Sequence, residues 1–496
     1  MEENSCNKNT DTKVVVSRNI EANIQTFRKT YKDCADIKTR EMYLGAHNDK
    51  KCFMAYIEVA LDMKSFGASG IGMLVKNIEA GISPKDARVA DVTEVKDLNQ
   101  ALDVILVGNV LVFVDGCDYA LKIGDKGYPS LGVKETDSEK VIRGSNEGFS
   151  DSIKINTALV RRRIRSQNLK VKETTAGVRS NTTVDIMYMK DIAYPQVVTE
   201  IMKRLFKYEV DGVLDSGVIE QLAEKKWYSP FPEFQTTQRP DRAAMAVLEG
   251  RVVVLCDNSP IALILPTDFN SFLKTTDDYY NRFEAASFAR IIRYVSAFLA
   301  MTLPGLYLAV TNFHTQILPT SLLLSFWEAR IGCPFPEVVE VVLMELSFEL
   351  LREAGIRLPG AMGNTIGIVG GLIIGQAAVD ANLVSPIVVI VVAFTALCSF
   401  AIPSEEFAFS FRLLKFGFIA LSAWLGYFGF LIGIYAVLVH LSRLESFGIP
   451  YLSPFVAYGE KSTEGFGESV IRKPFRMLKY RPIYARRNQR IRLRGK

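Results

Sequence analysis

The chain has 496 residues, enough for two or three domains, with 49% hydrophobic residues and a formal net charge of +5. Its mean hydropathy of +0.14 averages two unlike parts: charge is ordinary through about residue 289, then nearly vanishes from several stretches of about 20 residues, the length a bilayer core demands. That distribution excludes a uniformly soluble enzyme and argues against nucleic-acid binding, which would leave the apolar half unexplained.

The seven cysteines, Cys6, Cys34, Cys52, Cys117, Cys256, Cys333 and Cys398, contain no CxxC pair, so the sequence reads as having neither a zinc site nor a disulfide framework. The polar N-terminus lacks the apolar core of a cleaved signal peptide, which places the soluble part in the cytoplasm.

In chain order, residues 1–17 read as disordered and 18–125 as a first α/β subdomain. Ile20, Ile24, Phe27 and Tyr31 are spaced for a helix to about Cys34. Cys52–Val59 reads as a strand and Val75–Ala80 as a short helix. Val104–Asp115 reads as paired strands around Gly108-Asn109, and Tyr119–Ile123 as one more strand. Residues 126–185 form a polar connector with a helix around 150–165. Its run Arg161-Arg162-Arg163 could hold a phosphate or form an interdomain salt-bridge face, the commoner use of basic runs on helices. Residues 186–289 read as a second α/β subdomain. Val184–Tyr188 is a strand at its start, followed by helices Pro195–Tyr208 and Ser216–Lys225. Strands Val252–Cys256 and Ile261–Leu265 close it around the turn Asp257-Asn258-Ser259-Pro260.

The predicted fold class is therefore an α+β soluble half of two small α/β subdomains, followed by an α-helical transmembrane domain over 290–441 and a basic cytoplasmic tail over 442–496. Four spans are expected: Ile291–Phe313, Ala361–Ala378, Leu383–Ile402 and Phe416–Leu438. Leu318–Trp327 is too short to cross. Pro334–Leu351 is long enough but carries Glu337, Glu340, Glu345 and Glu349, which cannot face lipid; it reads as interfacial, re-entrant or lining a wet cavity. Four crossings leave both ends on one side, and the segment Leu318–Leu351 could add one or two more. No acid follows Glu468, and the Arg- and Lys-rich run from Arg472 puts that side in the cytoplasm, near anionic lipid headgroups.

Gly363, Gly367, Gly371 and Gly375 recur every four residues, three overlapping GxxxG motifs on one helical stripe. Such a stripe lets a second helix approach closely, either within one subunit or between subunits around an axis. Asn364, Thr365 and Gln376 on the same span need partners in hydrocarbon, as inter-helix hydrogen bonds or as pore-lining groups. Asp277-Asp278-Tyr279-Tyr280, where the chain enters the membrane, reads as an interfacial anchor. His47, His314 and His440 lack metal-ligand spacing, and the Gly67–Gly72 run misses both nucleotide-loop patterns. With no nucleophile–base pair visible, the sequence calls for no enzyme activity, metal or cofactor.

Several strings then resemble, in order over about 20–455, the A subunit of bacterial spore germinant receptors. They are Arg143-Gly144 with Glu147-Gly148-Phe149, the Asn156 to Ile164 helix, Pro230-Phe231-Pro232, Arg239-Pro240-Asp241, Glu249-Gly250-Arg251-Val252 and Pro266-Thr267-Asp268-Phe269. Asp278-Tyr279-Tyr280, Leu351-Arg352-Glu353-Ala354-Gly355 to Pro359, the span ending Gly375-Gln376-Ala377-Ala378, and Pro450-Tyr451 with Ser453-Pro454 complete them. The resemblance implies a protein of the spore inner membrane that works with a transporter-like B subunit, which recognises the nutrient, and a lipoprotein C subunit. It also implies a homo-oligomer, a pentamer, forming a nutrient-gated channel for monovalent cations. Accessory germination channels of the same family are an alternative. So are a membrane scaffold and a secondary transporter coupled through Glu337, Glu340 and Glu345, although no internal repeat of the transporter kind is visible.

Overall fold

The structure, a computed structural model, describes residues 15–44, 50–60, 92–124, 139, 141, 143–357, 371, 373–456 and 469–493. It divides into two compact units. The first comprises Met1–Lys225, Thr236–Pro266 and Lys479–Lys496; the second comprises Lys226–Gln235 and Thr267–Leu478.

The first unit holds two five-stranded sheets. In the first, β1 (Ile37–Leu44), β2 (Lys50–Ile57), β3 (Val92–Val95), β4 (Val110–Val114) and β5 (Ala120–Ile123) lie in the order β1-β2-β4-β5-β3, with every neighbouring pair antiparallel. Helices α1 (Ile20–Thr30) and α2 (Leu98–Leu106) bury Ile24, Phe27, Leu102 and Ile105 against Phe53 and Phe113. The opposite face buries Cys52, Met54, Val112 and Leu121. A central strand buried on both faces has no reason to alternate, and β4 is five consecutive buried residues.

The expected hairpin over Val104–Asp115 is a helix end followed by a strand. Asp97 caps α2 by accepting from the Asn99 and Gln100 backbone N–H groups. The apolar positions Leu98, Ala101, Leu102 and Ile105 then share one buried face, so helical packing overrides the β-branched composition of its last turn.

The second sheet repeats the plan. Strands β6 (Leu169–Ala176), β7 (Thr182–Met189), β8 (Gln235–Thr237), β9 (Val252–Cys256) and β10 (Ala262–Leu265) run β6-β7-β9-β10-β8, the first order shifted by five. Helix α3 (Ile153–Arg163) precedes β6 as α1 precedes β1. Helices α4 (Pro195–Leu205) and α5 (Ser216–Ala223) fill the interval before β8, and α6 (Pro240–Glu249) separates β8 from β9 as α2 separates β3 from β4. The register agrees as well: Cys52 pairs with Val114 where Val184 pairs with Cys256. The expected helix Val75–Ala80 lies outside the described residues.

Residues 479–493 belong to this unit, although the sequence reads them as part of a basic tail. Arg486 donates from its backbone to the Ile192 carbonyl and from its guanidinium to the carbonyls of Ala193 and Lys190. Arg481 donates to the Leu248 carbonyl, and Tyr484 lies under the Arg251 guanidinium, 4.0 Å from the ring centroid. At Gly250, with φ +96°, a Cβ would lie 2.9 Å from the Tyr484 carbonyl oxygen. Only glycine both caps α6 in the left-handed region and lets this segment close over it.

The second unit is helical: α7 (Phe269–Leu273), α8 (Asp277–Tyr280), α9 (Phe283–Phe313), α10 (Thr320–Ala329), α11 (Glu337–Arg357), α12 (Pro386–Phe400) and α13 (Glu405–Arg443). Helices α9 and α13 are long and apolar enough to cross a membrane, but α13 is not one rod. Gly426 has φ +60° and ψ −137°, and the chain reverses there. The rings of Phe418 and Phe430 are 5.9 Å apart, where twelve residues of straight helix would separate them by roughly 18 Å. Phe231 likewise touches both Phe411 and His440. Helix α13 is therefore a hairpin with legs of roughly 31 and 25 Å, and the single span expected over Phe416–Leu438 contains its turn. A Cβ at Gly426 would lie 2.7 Å from the Phe313 ring, one at Gly433 2.8 Å from Phe418, and one at Gly429 would collide with the Leu421 carbonyl. Missing side chains are what allow the legs to meet.

The Asp277-Asp278-Tyr279-Tyr280 stretch forms α8, and Asp278 is buried rather than facing headgroups. It accepts from Arg290 at 2.9 Å and from Arg293 at 3.0 Å. Burial would raise its carboxyl, but the Arg293 and Arg290 guanidinium groups outweigh burial and hold it below the usual carboxylate range.

Candidate functional site

Helix α11 is inside out for a helix in water. Val339, Leu343, Leu346 and Leu350 are exposed, whereas Glu337, Glu340 and Glu345 are buried. The spacing 339, 343, 346, 350 is one helical stripe, so the apolar face points away from the unit and the carboxylate face points into it. The reading of these carboxylates as wet or interfacial thus narrows, within one chain, to a buried row with only Glu349 half-exposed.

Burial without a counter-charge would be prohibitive, and the row is answered by cations. Arg330 reaches Glu337 at 2.5 Å and Glu340 at 3.5 Å. Thr311 donates to Glu337, and the Ser385 backbone N–H donates to Glu340 at 2.9 Å, joining the start of α12 to α11. Lys415 meets Glu345 at 2.5 Å and Arg412 meets Glu349 at 2.7 Å. Arg412 and Arg352 share Glu405 at 3.6 and 3.3 Å, and Arg352 donates to Ser399 at 3.0 Å. Four cations thus face five carboxylates along roughly 22 Å of α11.

This polar seam runs between α11 and the first leg of α13. Sequence reasoning found the carboxylates and missed their partners. A signal was present: 345, 349 and 352 meet 415, 412 and 405 in descending order, the register of two antiparallel helices. Glu345 keeps one oxygen, Oε1, without a hydrogen bond, so its pairing with Lys415 is a single contact on a flexible stem.

Among the glycine-stripe residues, Gly363, Gly367, Asn364 and Thr365 lie outside the described residues. Gly375 approaches α12, where a Cβ would lie 3.4 Å from Val389, and Gly371 faces Phe348 of α11. Gln376 is exposed and reaches Asp380 at 3.5 Å.

The arginine run is built into the first unit. Arg161 is fully buried and binds Asp36 through two contacts, at 2.7 and 3.0 Å, while its remaining nitrogen donates to the carbonyls of Ser166 and Leu169. Arg162 and Arg163 both grip Glu147. Burial pushes that carboxyl up, and the two arginines more than reverse the effect, holding it below its usual range. A cleft of about 40 Å³ nearby is lined by Asp36, Lys38, Glu58, Lys154, Thr157 and Asp185, among others. Asp185 takes a hydrogen bond from Thr157 at 2.7 Å, and burial pushes its carboxyl up to about 6. Among the described residues no group of three or more His, Cys, Asp or Glu side chains could hold a metal ion.

The Bacillus/Clostridium GerA spore germination protein family matches residues 25–484. Spore germination protein KA of Bacillus subtilis is 37% identical over 486 residues, 97% of this chain and 89% of that protein. The uncharacterized membrane protein YfkQ of the same organism is 35% identical over 95% of this chain and 93% of that protein. The crystal structure of the N-terminal domain of the A subunit of the Bacillus megaterium spore germinant receptor GerK3 aligns at 28% identity with a TM-score of 0.42. That alignment covers 52% of this chain and 98% of that one.

Proposed function

We propose that this chain, which belongs to the Bacillus/Clostridium GerA spore germination protein family, is the membrane-embedded A subunit of a nutrient germinant receptor and forms its ion path as a homo-oligomer. One observation carries the reading. Helix α11 turns an apolar stripe outward and a row of paired charges inward, the reverse of what water selects and what a bilayer requires.

Topology supports the placement. The first unit is built from residues that precede and follow the helical unit in the chain, which supports an even number of crossings. The basic residues of 472–492 support a cytoplasmic side for both ends. The hairpin legs, α9 and α12 then provide crossings, and α11 lies among them with its charges shielded. The receptor sits in the spore inner membrane with a transporter-like B subunit that recognises the nutrient and a lipoprotein C subunit. The exposed Gln376 lies on the side of its helix left free for a contact between copies, a pentamer by the family resemblance, while Gly371 and Gly375 pack against α11 and α12 of the same chain.

Gating acts on the seam. Nutrient binding in the partner shifts α11 against the first leg of α13, exchanging one set of carboxylate–cation contacts for another, a helix sliding between two packings. Single-channel recording of the purified full-length protein in planar bilayers tests this. Cation currents altered by Glu345→Gln support the reading. A silent protein whose variants still support germination would leave it a scaffold.

A further inference from the structure

We infer that Trp227 and Tyr228 form an aromatic foot that seats the second unit in an anionic lipid headgroup layer. The inference rests on the membrane reading above and adds a docking surface to it.

The two rings are 84% and 63% exposed, among the most exposed large side chains of the described residues. They stand edge to face, 6.1 Å apart, on a turn in which Ser229 donates its backbone N–H to the Lys226 carbonyl at 2.9 Å. The turn is not loose. Lys226 Nζ donates to the Arg443 carbonyl at 2.6 Å, the last residue of the second hairpin leg. Ser229 Oγ shares a hydrogen bond with His440 Nε2 at 2.9 Å. Ser410 on the first leg donates to the Pro230 carbonyl, and Phe231 is buried against Phe407, Phe411 and His440. The segment is thus bolted to the base of both legs, and its two outward rings are held at the level where the helices end.

Above that level the second leg presents Leu438, Tyr435, Leu431 and Phe428 outward, an exposed apolar row that rises from the end to which the foot is tied. At that level Lys226 and the exposed Arg443 add positive charge. Tryptophan and tyrosine flanked by basic residues at the end of an apolar helix suit a bilayer's interfacial zone, where ring bodies face acyl chains and polar edges face water. The flanking cations select acidic headgroups. Trp424, 79% exposed on the first leg beside the hairpin turn, stands at the opposite end of the hairpin.

The test uses tryptophan fluorescence of the full-length protein in vesicles of phosphatidylcholine and phosphatidylglycerol. The acyl chains carry bromine either near the headgroup or near the terminal methyl. The W327F/W424F variant leaves Trp227 as the single tryptophan, and the difference between wild type and W227F gives the same readout should that variant fail to assemble. Trp227 emission is expected to be blue-shifted, to lose most of its intensity to shallow bromine and less to deep bromine, and to resist aqueous iodide. Free quenching by iodide with no bromine effect overturns the inference. Resistance to both quenchers does so too, because it means that protein covers the rings. The W227F/W327F variant separates the two ideas: if Trp424 also escapes bromine at every depth, the membrane placement fails, whereas a bromine-quenched Trp424 beside an iodide-quenched Trp227 removes the foot alone.

Discussion

Two buried ion pairs, one in each unit, solve the same problem differently. Arg161 and Asp36 are nearly sealed from solvent, as are Lys415 and Glu345. Arg161 uses its planar fork fully: two contacts to the carboxylate and two carbonyl acceptors from the next turn and strand. Lys415 makes one hydrogen bond to its carboxylate, and the other oxygen of that partner accepts none. The first pair has a single satisfied arrangement and locks β6 to the segment before β1. The second has slack, and α11 and the hairpin offer it neighbouring alternatives in Glu349 and Arg412. A rigid fork suits a joint that must not move, and a flexible stem suits one that must.

The largest expected effect comes from breaking the lock. Arg161→Leu strands Asp36 without a counter-charge and should cost about 3–5 kcal/mol, read as lost hydrogen-exchange protection in β6 and α3. A loss below about 1 kcal/mol would show that the two pairs do not differ as described. Next is Gly426→Leu, which forces a branched side chain into a left-handed conformation against Phe313. Strain and overpacking together should cost about 3–4 kcal/mol. The geometry has its own check: cysteines at Phe418→Cys and Gly433→Cys should cross-link under mild oxidation, and a straight helix would keep them apart.

Asp185 sharpens the comparison from within the sheet unit, because one of its oxygens, Oδ1, also lacks a hydrogen bond and the pull of Lys38 is outweighed by burial. Its folded-state value, about 6, lies above the ordinary carboxylate value. The folded protein therefore holds this proton more tightly than the unfolded chain, and stability falls as pH rises from about 4 through 6. Asp185→Asn should stabilise by about 2–3 kcal/mol above pH 6 and change little near pH 4, measured by thermal unfolding of the full-length protein across that range. The smallest stability effect is expected from Lys415→Met combined with Glu345→Met, within about 1 kcal/mol of wild type by exchange of a buried pair for apolar volume. The same double variant should abolish the germination response in spores. Normal germination would remove the seam from the gating mechanism.

Much of this was legible in the sequence where one residue's neighbours in the chain decide its state. The turn at Asp257-Asn258-Ser259-Pro260 and strand Val252–Cys256 carry their own local chemistry. What the sequence hid depends on distant partners. Strand β6, Leu169–Ala176, reads as polar because only its first three residues are buried. The duplication of the two sheets leaves no common motif, since it lives in strand order rather than in side chains. Glu337, Glu340, Glu345 and Glu349 of α11 were visible, but that the first three are buried follows only once Arg330 and Lys415 come in from elsewhere. The hairpin was masked for the opposite reason: Gly426 interrupts an apolar run without changing its composition, and hydropathy alone cannot tell one long span from two short ones.

The strap of residues 479–493 sets the order in which this protein can be made. A ribosome delivers the two sheets first and the helices next, and only then the segment whose Tyr484 and Arg486 close over Gly250 and Ala193. The sheet unit therefore waits, incomplete, until the helical unit has been made. A chain cut short between α13 and this segment would have all its long helices and a sheet unit left unlatched at Gly250 and Ala193.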